Sequence, residues 1–124
     1  MTDNRLIDSS VWLAYLFNSQ YKEIIESEGI YLLSVLSLFE IKRKLVKSKL
    51  EETKIAKSVD FIKKQSLIIP ITSEIAEMSV EISLMHNLAT IDSLIYSTSI
   101  INKSILLTLD NDFRGLKDVR ILGK

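Results

Sequence analysis

The chain has 124 residues, of which 47% are hydrophobic, and its 16 basic and 16 acidic residues give a net charge of zero. This composition excludes a disordered chain and predicts one domain over residues 1–124, while the lack of cysteine excludes disulfides and thiolate metal sites. The first ten residues have no signal-peptide pattern, and no apolar run approaches the roughly 20 residues of a membrane span. We therefore expect a cytoplasmic protein without a membrane segment.

Short apolar runs alternate with longer amphipathic segments along the chain. Strand-like runs cover residues 5–7, 30–34, 67–71, 104–109 and 119–122. Helical patterns cover residues 10–17, 22–27, 36–50, 52–64, 73–86 and 90–101. Ser73 is the predicted N-cap of the helix that begins there, because acidic residues follow it. This order of elements predicts α/β layering around a mostly parallel sheet.

Positive charge is concentrated in one part of the chain. Residues 42–64 contain nine Lys or Arg residues against three acidic ones. Two interpretations stay open, a solvated helical face and a basic surface that suits a polyanion such as RNA.

Acidic residues follow the predicted strands at the points where they end. Asp8 comes after the first strand, and Asp110 and Asp112 come after the strand "ILLTL". In parallel sheets the carboxyl ends of the strands border one crevice, so these carboxylates should face each other. Glu40 and Asp92 lie in apolar stretches, where a carboxylate is costly unless it is paired or bound to a metal.

Each acid also has a purely structural interpretation. These are a helix cap for Asp8, an ion pair with Lys44 for Glu40, an N-cap for Asp92 and a turn for Asp110 and Asp112. A shared site accounts for all of the acids at once. Converging carboxylates repel one another unless a cation neutralises them, and oxygen ligands select Mg²⁺ or Mn²⁺. One histidine and no cysteine disfavour zinc.

Four stretches carry a family resemblance. They are "LIDSSVWLAY" (6–15), "LSLFEIKRKL" (36–45), "NLATIDSLIYSTSI" (87–100) and "LLTLDNDF" (106–113). In these stretches the chain resembles PIN-domain proteins, most closely the VapC-type toxin ribonucleases of toxin–antitoxin systems. Their order and spacing cover nearly the whole chain, whereas residues 50–86 match only in helical character. The resemblance implies a three-layer α/β/α fold with a central, mostly parallel sheet of about five strands.

The resemblance also implies a site and its chemistry. By position it assigns Mg²⁺ or Mn²⁺ to Asp8, Glu40, Asp92 and Asp110, with Asp112 as a further acid. Ser10 and Thr108 occupy supporting hydroxyl positions, Ser93 replaces a frequent alanine, and the RNA-binding candidates are Arg43, Lys44 and Lys47. The implied reaction is hydrolysis of RNA phosphodiester bonds, leaving 5′-phosphate and 3′-hydroxyl ends. The implied partners are a small VapB-like antitoxin and a second copy of the chain.

Other interpretations compete with the toxin ribonuclease. A receiver-like phosphotransfer domain is disfavoured, because it needs an acidic pair at the end of the first strand and a lysine after the last strand. Here serines follow Asp8, and only Gly123 and Lys124 follow the last strand. A non-catalytic PIN scaffold or RNA-binding subunit stays open, as does a PIN nuclease of RNA processing. His86 is interpreted as a helix-end residue. The aromatic residues assigned to core or interface packing are Trp12, Tyr15, Phe17, Phe39 and Tyr96.

Overall fold

The computed structural model describes residues 4–123. The strands are β1 (Arg5–Ile7), β2 (Tyr31–Ser34), β3 (Ser66–Ile69), β4 (Ile105–Thr108) and β5 (Val119–Ile121). The helices are α1 (Ser9–Asn18), α2 (Lys22–Ile25), α3 (Val35–Lys47), α4 (Glu52–Gln65), α5 (Ser73–His86) and α6 (Thr90–Ile101). A short 3-10 turn spans Asn111–Phe113. Within the described part of the chain, no helix has the length and apolar character that a membrane span requires.

All five strands are parallel, in the order β3-β2-β1-β4-β5. The central strand β1 pairs Leu6 with Leu32 of β2 on one side and with Leu106 of β4 on the other. The predicted α/β fold with a five-stranded sheet is therefore confirmed. The chain builds β1, β2 and β3 outwards in one direction and then returns to place β4 on the opposite side of β1. This reversal opens a crevice at the carboxyl ends of β1 and β4.

The core has two parts, one on each face of the sheet. Successive residues of a strand point to opposite faces, and Leu6 and Ile7 accordingly enter different clusters. Ile7 packs with residues of α1, α2, α3 and α4, whereas Leu6 packs with α6 residues such as Ile95. The helices therefore form an outer layer on each side of the sheet, which gives the predicted three layers.

The ends of the elements differ from the sequence prediction by a few residues. The largest difference is at α3, which ends at Lys47 and not at residue 50. Ser73 is the first residue of α5 and not its N-cap, so the predicted cap is wrong by one position. Thr72 is the N-cap, and its side-chain oxygen accepts a hydrogen bond from the backbone N–H of Ile75 at 3.1 Å. Strand β3 ends at Ile69, directly before Pro70, which has no N–H for a ladder hydrogen bond.

The aromatic residues separate into core and surface groups. Trp12 is fully buried and meets Tyr15 and Phe61 edge-on, each with ring centroids 6.1 Å apart. Phe17 and Phe39 are 41% and 66% exposed, which leaves interface packing as their predicted role. His86 ends α5 as predicted.

Trp12 supplies a test of the larger core cluster. We expect Trp12→Ala to lower the free energy of unfolding by about 3–5 kcal/mol, because it leaves a large cavity. Trp12→Phe should cost only about 1–2 kcal/mol, since phenylalanine keeps aromatic contacts. The Trp12→Phe substitution also removes a buried indole N–H that has no hydrogen-bond partner within residues 4–123, so no hydrogen bond is lost. Urea unfolding followed by circular dichroism measures both, and equal losses would contradict this account.

Candidate metal centre

Two acids enter the crevice from the central strands. Asp8 directly follows β1, and its backbone N–H donates a hydrogen bond to the carbonyl of Leu107 at 3.0 Å. Asp110 lies two residues after the end of β4, and its N–H donates to Oγ1 of Thr108 at 3.0 Å. The pairing of β1 with β4 thus sets the positions of both carboxylates, as expected from the parallel sheet.

Asp8 is buried, and two hydroxyl groups hold its carboxylate. Ser10 and Thr108 each donate to Oδ2 of Asp8, at 2.9 and 2.8 Å. The Ser10 oxygen also accepts from the N–H of Leu109 at 3.0 Å, which ties α1 to the end of β4. Burial raises the pKa of Asp8 above its ordinary value, although the hydrogen bonds from Thr108 and Ser10 oppose this. Asp8 occupies the N-cap position of α1, but its carboxylate makes no capping hydrogen bond.

The closest group of acids in the described chain consists of Asp92, Asp110 and Asp112. Each offers one carboxylate oxygen, and these oxygens all lie within 4.8 Å of one another. Oδ1 of Asp110 accepts a hydrogen bond from the backbone N–H of Asp112, with 2.9 Å between nitrogen and oxygen. Asp110 therefore stabilises a turn and also belongs to the group of acids. Asp92 lies in the first turn of α6, whose N-cap is Ala89, so the alternative of Asp92 as an N-cap is wrong.

Glu40 approaches the crevice from α3. Its Oε1 accepts a hydrogen bond from the Ser9 hydroxyl at 3.0 Å. Burial raises the pKa of Glu40, the bond from Ser9 lowers it, and the negative charge of Asp8 raises it further. The alternative ion pair with Lys44 does not form, because the one ion pair between residues 4 and 123 joins Lys64 to Asp60.

The negative charges converge on Asp92. The pKa of this half-buried carboxyl group is raised from 3.8 to about 6. Burial makes the largest contribution to the increase, followed by the negative charge of Asp110. The charges of Asp8, Asp112 and Glu40 add smaller contributions in the same direction. Since no described basic side chain pairs with these acids, the group has the oxygen ligands and excess negative charge that suit Mg²⁺ or Mn²⁺.

The basic candidates lie outside this group of acids. Arg43, Lys44 and Lys47 are exposed on α3. Arg43 and Lys47 line a surface groove whose other lining residues are Val35, Leu38, Phe39, Lys42 and Val46. The structure therefore places two of the three RNA-binding candidates on one helix face.

The sequence interpretation missed the role of Ser9. Ser9 and Ser10 are the first two residues of α1, after its N-cap Asp8, and their hydroxyls bond to acids. Ser9 and Glu40 are 31 residues apart, and no local pattern signals their contact. Ser93 fits where alanine is frequent because its hydroxyl donates to the carbonyl of Ala89 at 2.8 Å.

Comparison with known proteins supports the same assignment of fold. The sequence profile of the PIN domain family matches residues 5–119. A sequence comparison with curated proteins finds no match.

Three solved structures resemble this chain in fold. A toxin–antitoxin complex from Klebsiella pneumoniae has a TM-score of 0.79 at 22% identity, covering 94% of this chain and 96% of that chain. VapBC2 from Rickettsia felis, bound to a DNA fragment from its promoter, has a TM-score of 0.76 at 15% identity, with coverage of 94% and 96%. VapC20 from Mycobacterium tuberculosis, a sarcin-ricin loop cleaving toxin, has a TM-score of 0.74 at 15% identity, with coverage of 95% and 98%.

The charge on Asp92 should make the metal-free protein sensitive to pH. The folded-state pKa is about 6 and the ordinary value is 3.8, so the folded state binds this proton more tightly than the unfolded state. The proton on Asp92 therefore stabilises the folded state fully below about pH 4, and this stabilisation is lost as the pH rises through 6. With EDTA at pH 7.5, we expect Asp92→Asn to raise the free energy of unfolding by about 1 kcal/mol, allowing for solvent screening.

Thermal unfolding of both proteins at pH 4 and pH 7.5 measures this effect. The gain should disappear at pH 4, where wild-type Asp92 is already neutral when folded. Glu77→Gln removes an exposed acid of α5 and serves as the control. A wild-type protein as stable as Asp92→Asn at pH 7.5 would show that the repulsion is absent.

Proposed function

The chain belongs to the PIN domain family, and from this premise we propose that it is a Mg²⁺- or Mn²⁺-dependent endoribonuclease, the toxin of a type II toxin–antitoxin pair. The observation that carries the proposal is the group formed by Asp92, Asp110 and Asp112. Their oxygens lie within 4.8 Å of one another, and no described basic side chain pairs with them. The group lies at the crevice where an α/β sheet of this topology binds its ligands.

The acids have different environments and hence different proposed roles. Asp92, Asp110 and Asp112 would hold the ion, and Asp8, fixed by Ser10 and Thr108, would complete the negative field around it. When bound, such an ion lowers the pKa of water and stabilises negative charge on a phosphate under attack.

Glu40 suits a role in proton transfer. It is half-buried, its pKa is raised, and its Oε1 is held by Ser9. A raised pKa makes a carboxylate a stronger proton acceptor. We assign Glu40 to orient the attacking water and take its proton, while water adds across the bond between phosphorus and the 3′ oxygen. The products are a 5′-phosphate and a 3′-hydroxyl end.

RNA is the proposed substrate because the basic side chains suit a phosphate backbone. Arg43, Lys44 and Lys47 are exposed on the helix that also carries Glu40, so they can contact phosphates that flank the cleaved bond. One protein with this fold, VapC20, is itself described as a sarcin-ricin loop cleaving toxin. We propose a cytoplasmic location for this activity, as the sequence leads us to expect.

An antitoxin is the proposed protein partner. The face of α3 exposes Val35, Phe39 and Val46, which are 37%, 66% and 55% exposed, next to Lys42 and Arg43. Exposed apolar patches rimmed by polar groups commonly mark interfaces. We propose that an acidic amphipathic segment of the antitoxin covers this groove and places a basic side chain among the acids.

The homodimer implied by the resemblance stays a prediction. The exposed apolar side chains of α5 are compatible with it, since Val80, Leu84 and Met85 are 59%, 80% and 71% exposed. These side chains lie on α5 and not on the α3 face, so a dimer contact there would leave the α3 groove open.

Removing either of two carboxylates tests the proposed nuclease. We expect Asp8→Asn and Asp92→Asn to lower RNA cleavage by at least about 100-fold, because each removes negative charge that an ion requires. Cleavage of a fluorescent RNA with Mg²⁺, with Mn²⁺ and with EDTA measures this, and EDTA should abolish wild-type activity. Glu77→Gln, an exposed acid of α5, is the matched control.

Two results would count against the nuclease assignment. Cleavage at the wild-type rate by either Asn variant would show that the acids are not the site. A folded protein that binds no Mn²⁺ in calorimetry would favour the non-catalytic PIN scaffold instead.

Co-expression tests the proposed partner. The product of a short neighbouring reading frame should raise the yield of the chain and purify with it. Phe39→Asp puts a negative charge among the apolar groups of the groove and should weaken the complex at least about tenfold in a pull-down titration. Leu67→Asp changes another exposed apolar residue, on β3, and should leave binding intact. Equal binding by both variants would place the partner elsewhere.

A further inference from the structure

One hydrogen bond connects the start of α1 to the acid of α3. Ser9 is the first residue of α1, and its hydroxyl donates to Oε1 of Glu40 at 3.0 Å. Both side chains are half-buried at the border of the crevice. Among residues 4–123, no other hydrogen bond to the Glu40 carboxylate is seen, and no basic side chain pairs with it.

Without this bond, little would keep Glu40 in the crevice. A glutamate side chain has several rotatable bonds, and fixing them costs up to about 2 kcal/mol of conformational entropy. The nearby negative charge of Asp8 acts on Glu40 unfavourably, and water is accessible on its open side. Repulsion and entropy therefore both favour a rotamer that turns the carboxylate out into the solvent.

The N-cap residue of α1 is Asp8, whose carboxylate does not cap the helix and accepts hydrogen bonds from Ser10 and Thr108. A side-chain cap typically stabilises a helix by about 1 kcal/mol, yet α1 has no side-chain cap hydrogen bond. Instead, Ser9 donates to Glu40 of α3, and Ser10 donates to Asp8 at the end of β1. Two consecutive hydroxyls thus hold acids from two different elements. Local features that forgo stability in this way are typical of functional sites.

We infer that Ser9 is a positioning residue, which holds Glu40 in the crevice by one oxygen and leaves Oε2 free for the ion or its water. This inference rests on the proposed function for its consequence in catalysis. Ser9 touches neither substrate nor ion in this scheme and acts through Glu40 alone. Threonine carries the same hydroxyl and should replace Ser9, whereas alanine should not.

The experiment compares Ser9→Ala, Ser9→Thr and Glu40→Gln with the wild type. Hydrogen bonds to charged groups are among the stronger ones in proteins, so Ser9→Ala should lower kcat/KM about tenfold, chiefly through kcat. It should also weaken Mn²⁺ binding severalfold in calorimetry on the folded, metal-free protein. Ser9→Thr should restore both quantities to within about threefold of the wild type.

A control and a double variant separate positioning from a general structural effect. Ser73 is likewise the first residue of a helix and is exposed, so Ser73→Ala should leave both quantities unchanged. If Ser9 acts through Glu40, the double variant S9A/E40Q should be no worse than Glu40→Gln alone. Melting temperatures confirm that every variant is folded under the assay conditions.

The outcomes distinguish this inference from the proposed function. Additive losses in S9A/E40Q, or a Ser9→Ala variant that matches Ser73→Ala, would overturn the role of Ser9. If the wild type binds Mn²⁺ but cleaves no RNA, the proposed function fails. The Mn²⁺ affinities of the same five variants then still decide whether Ser9 positions Glu40.

Discussion

Uncompensated negative charge at the carboxyl edge of β1 and β4 is the constraint on which the site depends. Asp92 interacts unfavourably with four other carboxylates, and no described basic side chain pairs with the group. A protein with such repulsion stays folded only if the rest of the structure contributes more stability than the repulsion costs. The group therefore does not contribute to stability by itself, and it has the excess negative charge that the proposed ion would neutralise.

The fold offsets part of the negative charge of the acids with hydroxyl groups and helix ends and not with basic side chains. Hydroxyls of Ser9, Ser10 and Thr108 donate to Glu40 and Asp8. Helices α1 and α3 begin directly at the carboxyl ends of β1 and β2, and Asp92 lies in the first turn of α6. The amino-terminal ends of helices carry partial positive charge, which favours carboxylates nearby. These terms are each small, so they position the acids without neutralising them.

The same architecture brings an exposed face of α3 close to the acids. Parallel strands with a core on both faces hold the acids rigidly at one edge. The exposed apolar and basic residues of α3, such as Phe39 and Arg43, lie on a helix that also reaches the crevice through Glu40. A partner on that face, such as the proposed antitoxin, would thus lie beside the acids.

The sequence alone determined the alternation of strands and helices, and it placed Asp8 and Asp110 after strands of a sheet that was predicted to be mostly parallel. Hydrophobic periodicity is local, and parallel topology brings strand ends together whatever the side-chain details. Only the tertiary structure decided that Asp112, and neither Asp8 nor Glu40, joins Asp92 and Asp110 in the closest group of acids. It also decided that Ser9 bonds to Glu40 across 31 residues. Such contacts depend on the packing of α1 against α3 and on side-chain rotamers, which no local pattern encodes.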